Sequence, residues 1–181
     1  MVSFTVDVTD LYQYVKKHGL SFYYSLIYLS TKAINNVNAF KYTIQDGQLQ
    51  LLEERIPSFT DMKKGSELFH IVTMPLKESL NEFCLAATEK SHAQDCFINP
   101  TAETNDLIYF TCLPWIEMTA MTNERHMNAD DAVPRIAWGK YTEMDGRKRL
   151  TMSIELNHKF ADGIHIGRFH DELAKMIGDL K

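Results

Sequence analysis

The segment from Ser21 to about Asn36 constrains the fold more than any other. Wound as a helix, it shows Phe22, Tyr23, Tyr24, Leu26, Ile27, Leu29, Ala33 and Ile34 around nearly its whole circumference. A helix apolar along one stripe lies on a surface, whereas one apolar all round is packed on several sides. Ser25, Ser30, Thr31 and Lys32 interrupt the run, which is too short and too polar to cross a bilayer. The covering layers therefore come from the rest of the chain.

Those layers are legible as strands alternating with helices. Val2–Val8 places its valines and Phe4 on one side and Ser3, Thr5 and Asp7 on the other, a half-buried strand. Thr9 or Asp10 is placed to cap a helix that Gly19 ends. Phe40–Ile44 and Leu49–Leu52 flank Gln45-Asp46-Gly47-Gln48, a hairpin signal. Leu68–Thr73 reads as a strand, and Lys77–His92 as a helix with Leu80, Phe83, Cys84 and Ala87 on its apolar stripe. Asp95–Asn105 reads as a loop and Leu107–Cys112 as a buried strand ended by Pro114. Ile136–Thr142 and Leu150–Leu156 form a second hairpin around Glu143-Met144-Asp145-Gly146-Arg147, and a last helix runs over about Ile164–Ile177. The expectation is one α/β domain over residues 1–181, an α+β-like two-layer sandwich in which a mixed β-sheet is covered by helices.

Composition narrows the function classes. The chain has 181 residues with 19 Lys+Arg against 24 Asp+Glu, a formal net charge of -5, and 45% hydrophobic residues. This excludes disorder and argues against nucleic acid or an anionic membrane as partner. Cys84, Cys96 and Cys112 are odd in number and widely spaced, so they read as reduced, buried thiols of a cytoplasmic protein. Met1-Val2-Ser3-Phe4 has no basic start followed by an apolar stretch, so no secretory signal is expected.

GxGxxG, the phosphate-loop Lys-Ser/Thr, GxSxG and HExxH are all missing from the sequence. His158, Asp162, His165 and His170 fit no common ligand spacing, and no metal is expected. What remains is Leu156-Asn157-His158-Lys159-Phe160-Ala161-Asp162-Gly163. Leu150, Met152, Ile154 and Leu156 share one strand face, and His158 is next in that register. The imidazole is thus expected at a strand end, facing the apolar side and partly desolvated, the condition that keeps it neutral as a general base. Asp162 is placed to cap the last helix and fix the turn, with Gly163 allowing a close approach.

His-x-x-x-Asp-Gly at the end of a strand, opening the terminal helix, resembles the active-site segment of the chloramphenicol acetyltransferase family. Thr111-Cys112-Leu113-Pro114-Trp115 resembles that family's Ser-Ala-Leu-Pro-Trp strand end. Trp138-Gly139-Lys140-Tyr141 with Asp145-Gly146-Arg147 resembles its penultimate hairpin. Gly163-Ile164-His165-Ile166-Gly167-Arg168-Phe169 resembles its Gly-Phe-His-Val-x-Arg-Phe helix start. The likeness runs from about Val2 to the C-terminus. It implies the CoA-dependent acyltransferase fold and acetyl-CoA as cosubstrate, with no permanently bound cofactor. It also implies transfer of the acetyl group to a hydroxyl of a small hydrophobic acceptor such as chloramphenicol. By the same resemblance the chain forms a homotrimer with active sites at subunit interfaces.

Carried over residue by residue, His158 is the general base, Thr111 the hydroxyl that stabilises the oxyanion, and Asp162 the carboxylate ordering the histidine loop. Lys140 and Tyr141 match positions along the coenzyme A channel. Phe69 and Phe97 match aromatics of the acceptor pocket, with His70 and Met121 nearby; Trp115 and Trp138 read as core. In the family a further N-terminal segment precedes the strand that matches Val2–Val8 and supplies an arginine that pairs with the motif aspartate; a sequence that begins at Met1 on that strand is expected to be either a shortened relative or part of a longer chain. Arg168 or Arg135 is expected to serve Asp162 instead. Ala137 stands where the family commonly has threonine, and Lys159 beside the base is unusual. Two other readings share the motif: a dihydrolipoyl acyltransferase core, and a non-catalytic trimeric relative.

Overall fold

The computed structural model describes residues 1–124 and 128–180. Strand β1 (Val2–Asp7) leads into helices α1 (Thr9–His18) and α2 (Phe22–Asn35). A 3₁₀ turn over Asn38–Lys41 precedes the hairpin of β2 (Tyr42–Gln45) and β3 (Gln48–Leu51). Strands β4 (Ile56–Met62) and β5 (Phe69–Thr73) come before α3 (Leu80–Ala93). Strands β6 (Leu107–Leu113), β7 (Arg135–Gly139), β8 (Thr142–Met144) and β9 (Arg147–Glu155) follow, and α4 (Gly163–Gly178) closes the fold. The main sheet runs β1-β9-β7-β6-β4-β5, with β8 also on β9. The β4–β6 and β6–β7 pairs are parallel and the remaining pairs antiparallel, so the sheet is mixed.

Helix α2 is the buried helix the sequence predicts. Leu26, Ile27, Ala33 and Ile34 have no exposed surface, and α2 touches α1, α3, α4, β4 and β6. Ser21 Oγ caps it by accepting from Tyr24 N. Phe59, Phe110, Ile136, Trp138, Met152 and Ile154 face the helices from the sheet and complete the core. The opposite sheet face is more polar, with Ser3, Thr111, Ala137 and Ser153 in one row across four strands. The chain after β6 returns over that face: Met121 N donates to Ser153 Oγ (3.0 Å) and Asn123 Nδ2 to Glu155 Oε1 (3.0 Å). Gly139 is required beneath it, because a Cβ there would lie 2.8 Å from Met118 Cγ and 2.9 Å from the Ile116 carbonyl.

Both Asp-Gly signals are hairpin turns with positive φ at each central residue, at Asp46-Gly47 and Asp145-Gly146. The second hairpin differs from expectation in its first arm, which is split into β7 and β8. Lys140 N bonds the Ile116 carbonyl (2.8 Å), which takes the chain out of the ladder for two residues. Thr9 and Asp10 do not cap α1. Asp7 Oδ1 accepts from Thr9 N (3.0 Å) and Thr9 Oγ1 (2.7 Å), and Val8 occupies the cap position. Cys96 is exposed, not buried, although all three thiols are free. Strand β4 has no clear sequence signal, because Pro57 interrupts an already short alternation.

Arg55, at the foot of β4, is fully buried. Nε donates to the Phe40 carbonyl (2.8 Å) and Nη1 to those of Asn105 (2.7 Å) and Leu107 (3.4 Å). Nη2 donates to the carbonyls of Tyr42 (2.8 Å) and Ala132 (3.1 Å). Its backbone is held by Asn35 at the end of α2, N to Oδ1 at 2.7 Å and O from Nδ2 at 3.1 Å. Burial pulls its pKa down to about 10, with the carboxylates of Asp106 and Asp131 working the other way, so it stays cationic at neutral pH. One guanidinium thus joins the 3₁₀ turn, β2, the entry to β6 and the loop before β7.

Removing it orphans several buried carbonyls at once, each costing about 1 kcal/mol or more. Arg55→Met is expected to lower unfolding stability by roughly 3 kcal/mol, read as a shift of the urea midpoint at constant slope. Arg55→Lys, with three donors and no planar fork, should recover only part of it.

Candidate active site

Strand β9 stops at Glu155, one residue short of the expected end at Leu156 and three before His158, which the alternation placed on the apolar face. The cause is Asn157. Its Nδ2 donates to the carbonyls of Ala129 (2.9 Å) and Asp131 (3.0 Å), its Oδ1 accepts from Lys159 N (3.0 Å), and its carbonyl accepts from Phe160 N and Ala161 N. The chain turns there, and His158 lands on the surface of the single chain instead of being desolvated within it. It edges a cavity of about 290 Å³ that it shares with Met1, Leu156, Asp162 and Ile166. Its Nδ1 lies 2.9 Å from the Ala161 carbonyl. A carbonyl only accepts, so Nδ1 carries the hydrogen in that bond, and in the neutral ring Nε2 keeps its lone pair. Lys159 points to an ion pair with Asp130 (2.8 Å).

Asp162 caps α4. Its Oδ1 accepts from Gly163 N (2.6 Å), and His165 Nδ1 accepts from Asp162 N (3.0 Å), a reciprocal capping box. Neither expected cation reaches it. Arg135 is paired with Asp131 (2.8 Å), and among the described residues no salt bridge involves Asp162 or Arg168. The carboxylate is exposed and water supports it, so no buried charge is left unpaired.

Thr111 stands near the far end of β6, where a second cavity of about 540 Å³ is lined by Tyr23, Asp61, Phe69, Thr111, Leu113 and Trp115, among others. Tyr23 closes the helix side, its hydroxyl donating to the Thr60 carbonyl (2.6 Å) while burial pushes its phenol well up. Cys112 beside Thr111 is pushed up to about 12 by burial, so it stays a thiol. Thr111 is level with Ala137 and Ser153, and His158 follows Ser153 by five residues toward the opposite end of the sheet. Strand geometry then separates Thr111 from His158 by on the order of 15 Å. The two residues line separate cavities of the chain.

The remaining positions divide. Phe69 and Phe97 form an edge-to-face pair with centroids 5.3 Å apart, and both are half exposed (50% and 54%). Phe97 and His70 line a neighbouring cavity of about 390 Å³. His70 itself is buried under α3, with Nε2 3.0 Å from Ser91 Oγ, and is not on the wall of the Thr111 cavity. Met121 is also off that wall, lying over the sheet face on Ser153. Tyr141 packs against Tyr12 (5.5 Å) and Phe22 (5.7 Å), with Lys148 Nζ 5.4 Å above its ring and 4.5 Å above that of Tyr12; Lys140 beside it is exposed. Trp138 is core as expected, but Trp115 is 68% exposed at the cavity rim. Sequence reasoning missed Tyr23 and Asp61 as wall residues. Tyr23 is indistinguishable from its apolar neighbours on α2, and Asp61 sits on the strand without a signal.

Solved structures share this architecture. A chloramphenicol acetyltransferase superposes with a TM-score of 0.88 at 22% identity, covering 99% of this chain and 87% of the other. The cubic core of the pyruvate dehydrogenase multienzyme complex gives 0.73 at 19%, covering 98% and 80%. The fold is therefore that of the CoA-dependent acyltransferases. The sequence family described as chloramphenicol acetyltransferase matches residues 1–174. A chloramphenicol acetyltransferase of Clostridium perfringens is 27% identical over 178 residues, which is 96% of this chain and 81% of the relative, and one of Staphylococcus aureus is 26% identical over 175. The chain belongs to the chloramphenicol acetyltransferase family and is an acyltransferase, acetyl-CoA being the cosubstrate of that family.

The capping geometry makes Asp162 a helix-terminus residue first. Asp162→Ala is expected to cost about 1 kcal/mol of stability and Asp162→Asn a few tenths, read by chemical denaturation.

Proposed function

We propose that the protein transfers the acetyl group of acetyl-CoA to a hydroxyl of a small, largely apolar acceptor, of which chloramphenicol is one, with His158 as general base. The observation that carries this is the bond between His158 Nδ1 and the Ala161 carbonyl. It selects the tautomer whose Nε2 can take a proton, and it holds the ring by a contact two elements of the same turn provide. The acceptor O–H gives its proton to Nε2 as its oxygen attacks the thioester carbonyl carbon. The tetrahedral oxyanion is met by the Thr111 hydroxyl. Collapse breaks the carbon–sulfur bond, and the departing thiolate recovers the proton from His158. No covalent acyl-enzyme is needed, and no metal takes part in this scheme.

His158 and Thr111 act on one substrate only if they come from different copies of the chain. A ring-shaped trimer supplies that arrangement, each site taking His158 from one copy and the Thr111 cavity from the next. The exposure of Phe69 and Trp115 on that cavity supports it, since a neighbouring copy would cover them and desolvate His158. Lys140 and Tyr141, with Lys148 beside them, offer cations and an aromatic ring to the coenzyme A arm. Asp162 acts by fixing the turn. Phe69 and Phe97 supply the aromatic wall of the acceptor pocket; His70 and Met121 act behind it, holding α3 and the returning chain.

Thiol release from acetyl-CoA with chloramphenicol is expected from the wild-type chain. His158→Ala should lower kcat by about 10³ and Thr111→Ala by about 10². Absence of acceptor-dependent release at saturating substrates, with coenzyme A still binding by calorimetry, would instead make the chain a non-catalytic relative; release with dihydrolipoamide alone would make it a dihydrolipoyl acyltransferase core.

A shared site makes a sharper prediction. Unfolding and refolding His158→Ala together with Thr111→Ala chains assembles some interfaces with both residues intact. Activity should rise well above that of either variant alone, and sedimentation should report three copies.

A further inference from the structure

The acceptor cavity holds a feature that a neutral, apolar substrate does not require. Its wall is apolar over Tyr23, Met62, Phe69, Leu113, Pro114 and Trp115, yet Asp61 lines it too, with Glu67 nearby. Among the described residues no Lys, Arg or His lines the same cavity, and no salt bridge neutralises Asp61. Asp61 is not a loose surface charge. Met62 N donates to its Oδ1 (2.7 Å), and the Tyr24 hydroxyl, delivered by α2, donates to its Oδ2. Burial and that bond push the Tyr24 phenol up, so Tyr24 keeps its proton and remains the donor to Asp61. An ionised carboxylate has about four acceptor positions, and the two bonds leave capacity unused.

Position matters as much as charge. The β4–β6 ladder ends at the Phe59–Phe110 pair, and beyond it Asp61 and Thr111 line the same cavity. A ligand that fills this cavity can meet Asp61 with a cation and Thr111 with a hydroxyl. A carboxylate set in an apolar wall is costly without a partner and favours a ligand that supplies one.

We propose that the acceptor is an amino alcohol: an apolar body whose protonated amine pairs with Asp61 while its hydroxyl is acetylated. This rests on the O-acetyltransferase reading and adds the charge of the substrate. Asp61 is the residue that sets the preference, with Tyr24 holding its carboxylate and Glu67 adding to the field. The hydroxyl still loses its proton to His158, because the ammonium has no lone pair to attack the thioester.

The test compares N,N-dimethylphenylalaninol, whose tertiary amine is protonated and cannot form an amide, with its uncharged carbon isostere at pH 7. The wild-type chain is expected to show kcat/KM at least tenfold higher for the amine. Asp61→Asn, which can still accept from Tyr24, should lower that ratio at least fivefold. Glu67→Gln, at an exposed position, should lower it about twofold, and that result decides the matter if thermal melting shows Asp61→Asn unfolded. Equal rates for the two acceptors, or a ratio that a folded Asp61→Asn leaves unmoved, overturns the inference while the acetyltransferase reading stands on the neutral acceptor and its loss in His158→Ala. Lack of thiol release with either acceptor and with chloramphenicol overturns both.

Discussion

The Arg55 guanidinium is the interaction on which the rest of the structure leans. A buried cation without a carboxylate at hydrogen-bond distance is expensive, and here five backbone carbonyls meet it instead. Those carbonyls belong to segments far apart in sequence: the 3₁₀ turn, β2, the approach to β6 and the loop before β7. Two of them border the turn that carries His158. Tyr42 packs its ring near Phe160, and the loop around Ala132 receives the side chain of Asn157 through the carbonyls of Ala129 and Asp131. His158 sits between Asn157 and Phe160. The geometry of the imidazole is thus set by backbone positions that one arginine holds together.

The site itself is divided. One end of the sheet presents His158 with its tautomer selected; the other presents Thr111 at the mouth of an apolar cavity. His158 edges one cavity and Thr111 another, and among the described residues none lines both. Antiparallel pairing of β9 with β7, followed by parallel pairing of β7 with β6, sends the two functional strand ends in opposite directions. In the proposed assembly, the exposed Phe69 and Trp115 are the surface that a second copy covers. On that proposal, desolvation of His158 is a property of assembly and not of the fold.

Much of the fold was legible in the sequence because its signals were local. The all-round apolar character of α2, the Asp-Gly turns and the Gly19 end of α1 each depend on a few consecutive residues, and those elements fall where the signals put them. The exceptions have a common cause. Strand β4 is a strand because β5 and β6 flank it, not because of its own alternation. The split of β7 from β8 comes from Lys140 N finding the Ile116 carbonyl, and Trp115 is exposed because Pro114 leads the chain out of the sheet. Tertiary partners outbid local pattern in each.

The residues that carry the proposed chemistry are written in the chain: His158 and Asp162 by their spacing ahead of a helix, Thr111 by the Leu-Pro-Trp that follows it. Their motif sufficed to place the protein in its family. What the motif did not contain is how far apart those residues lie, that Asp162 meets neither Arg168 nor Arg135, or that Asp61 shares a wall with Thr111. Those are facts of strand order, register and direction. They arise from hydrogen-bond ladders between segments dozens of residues apart, and no local spacing encodes them.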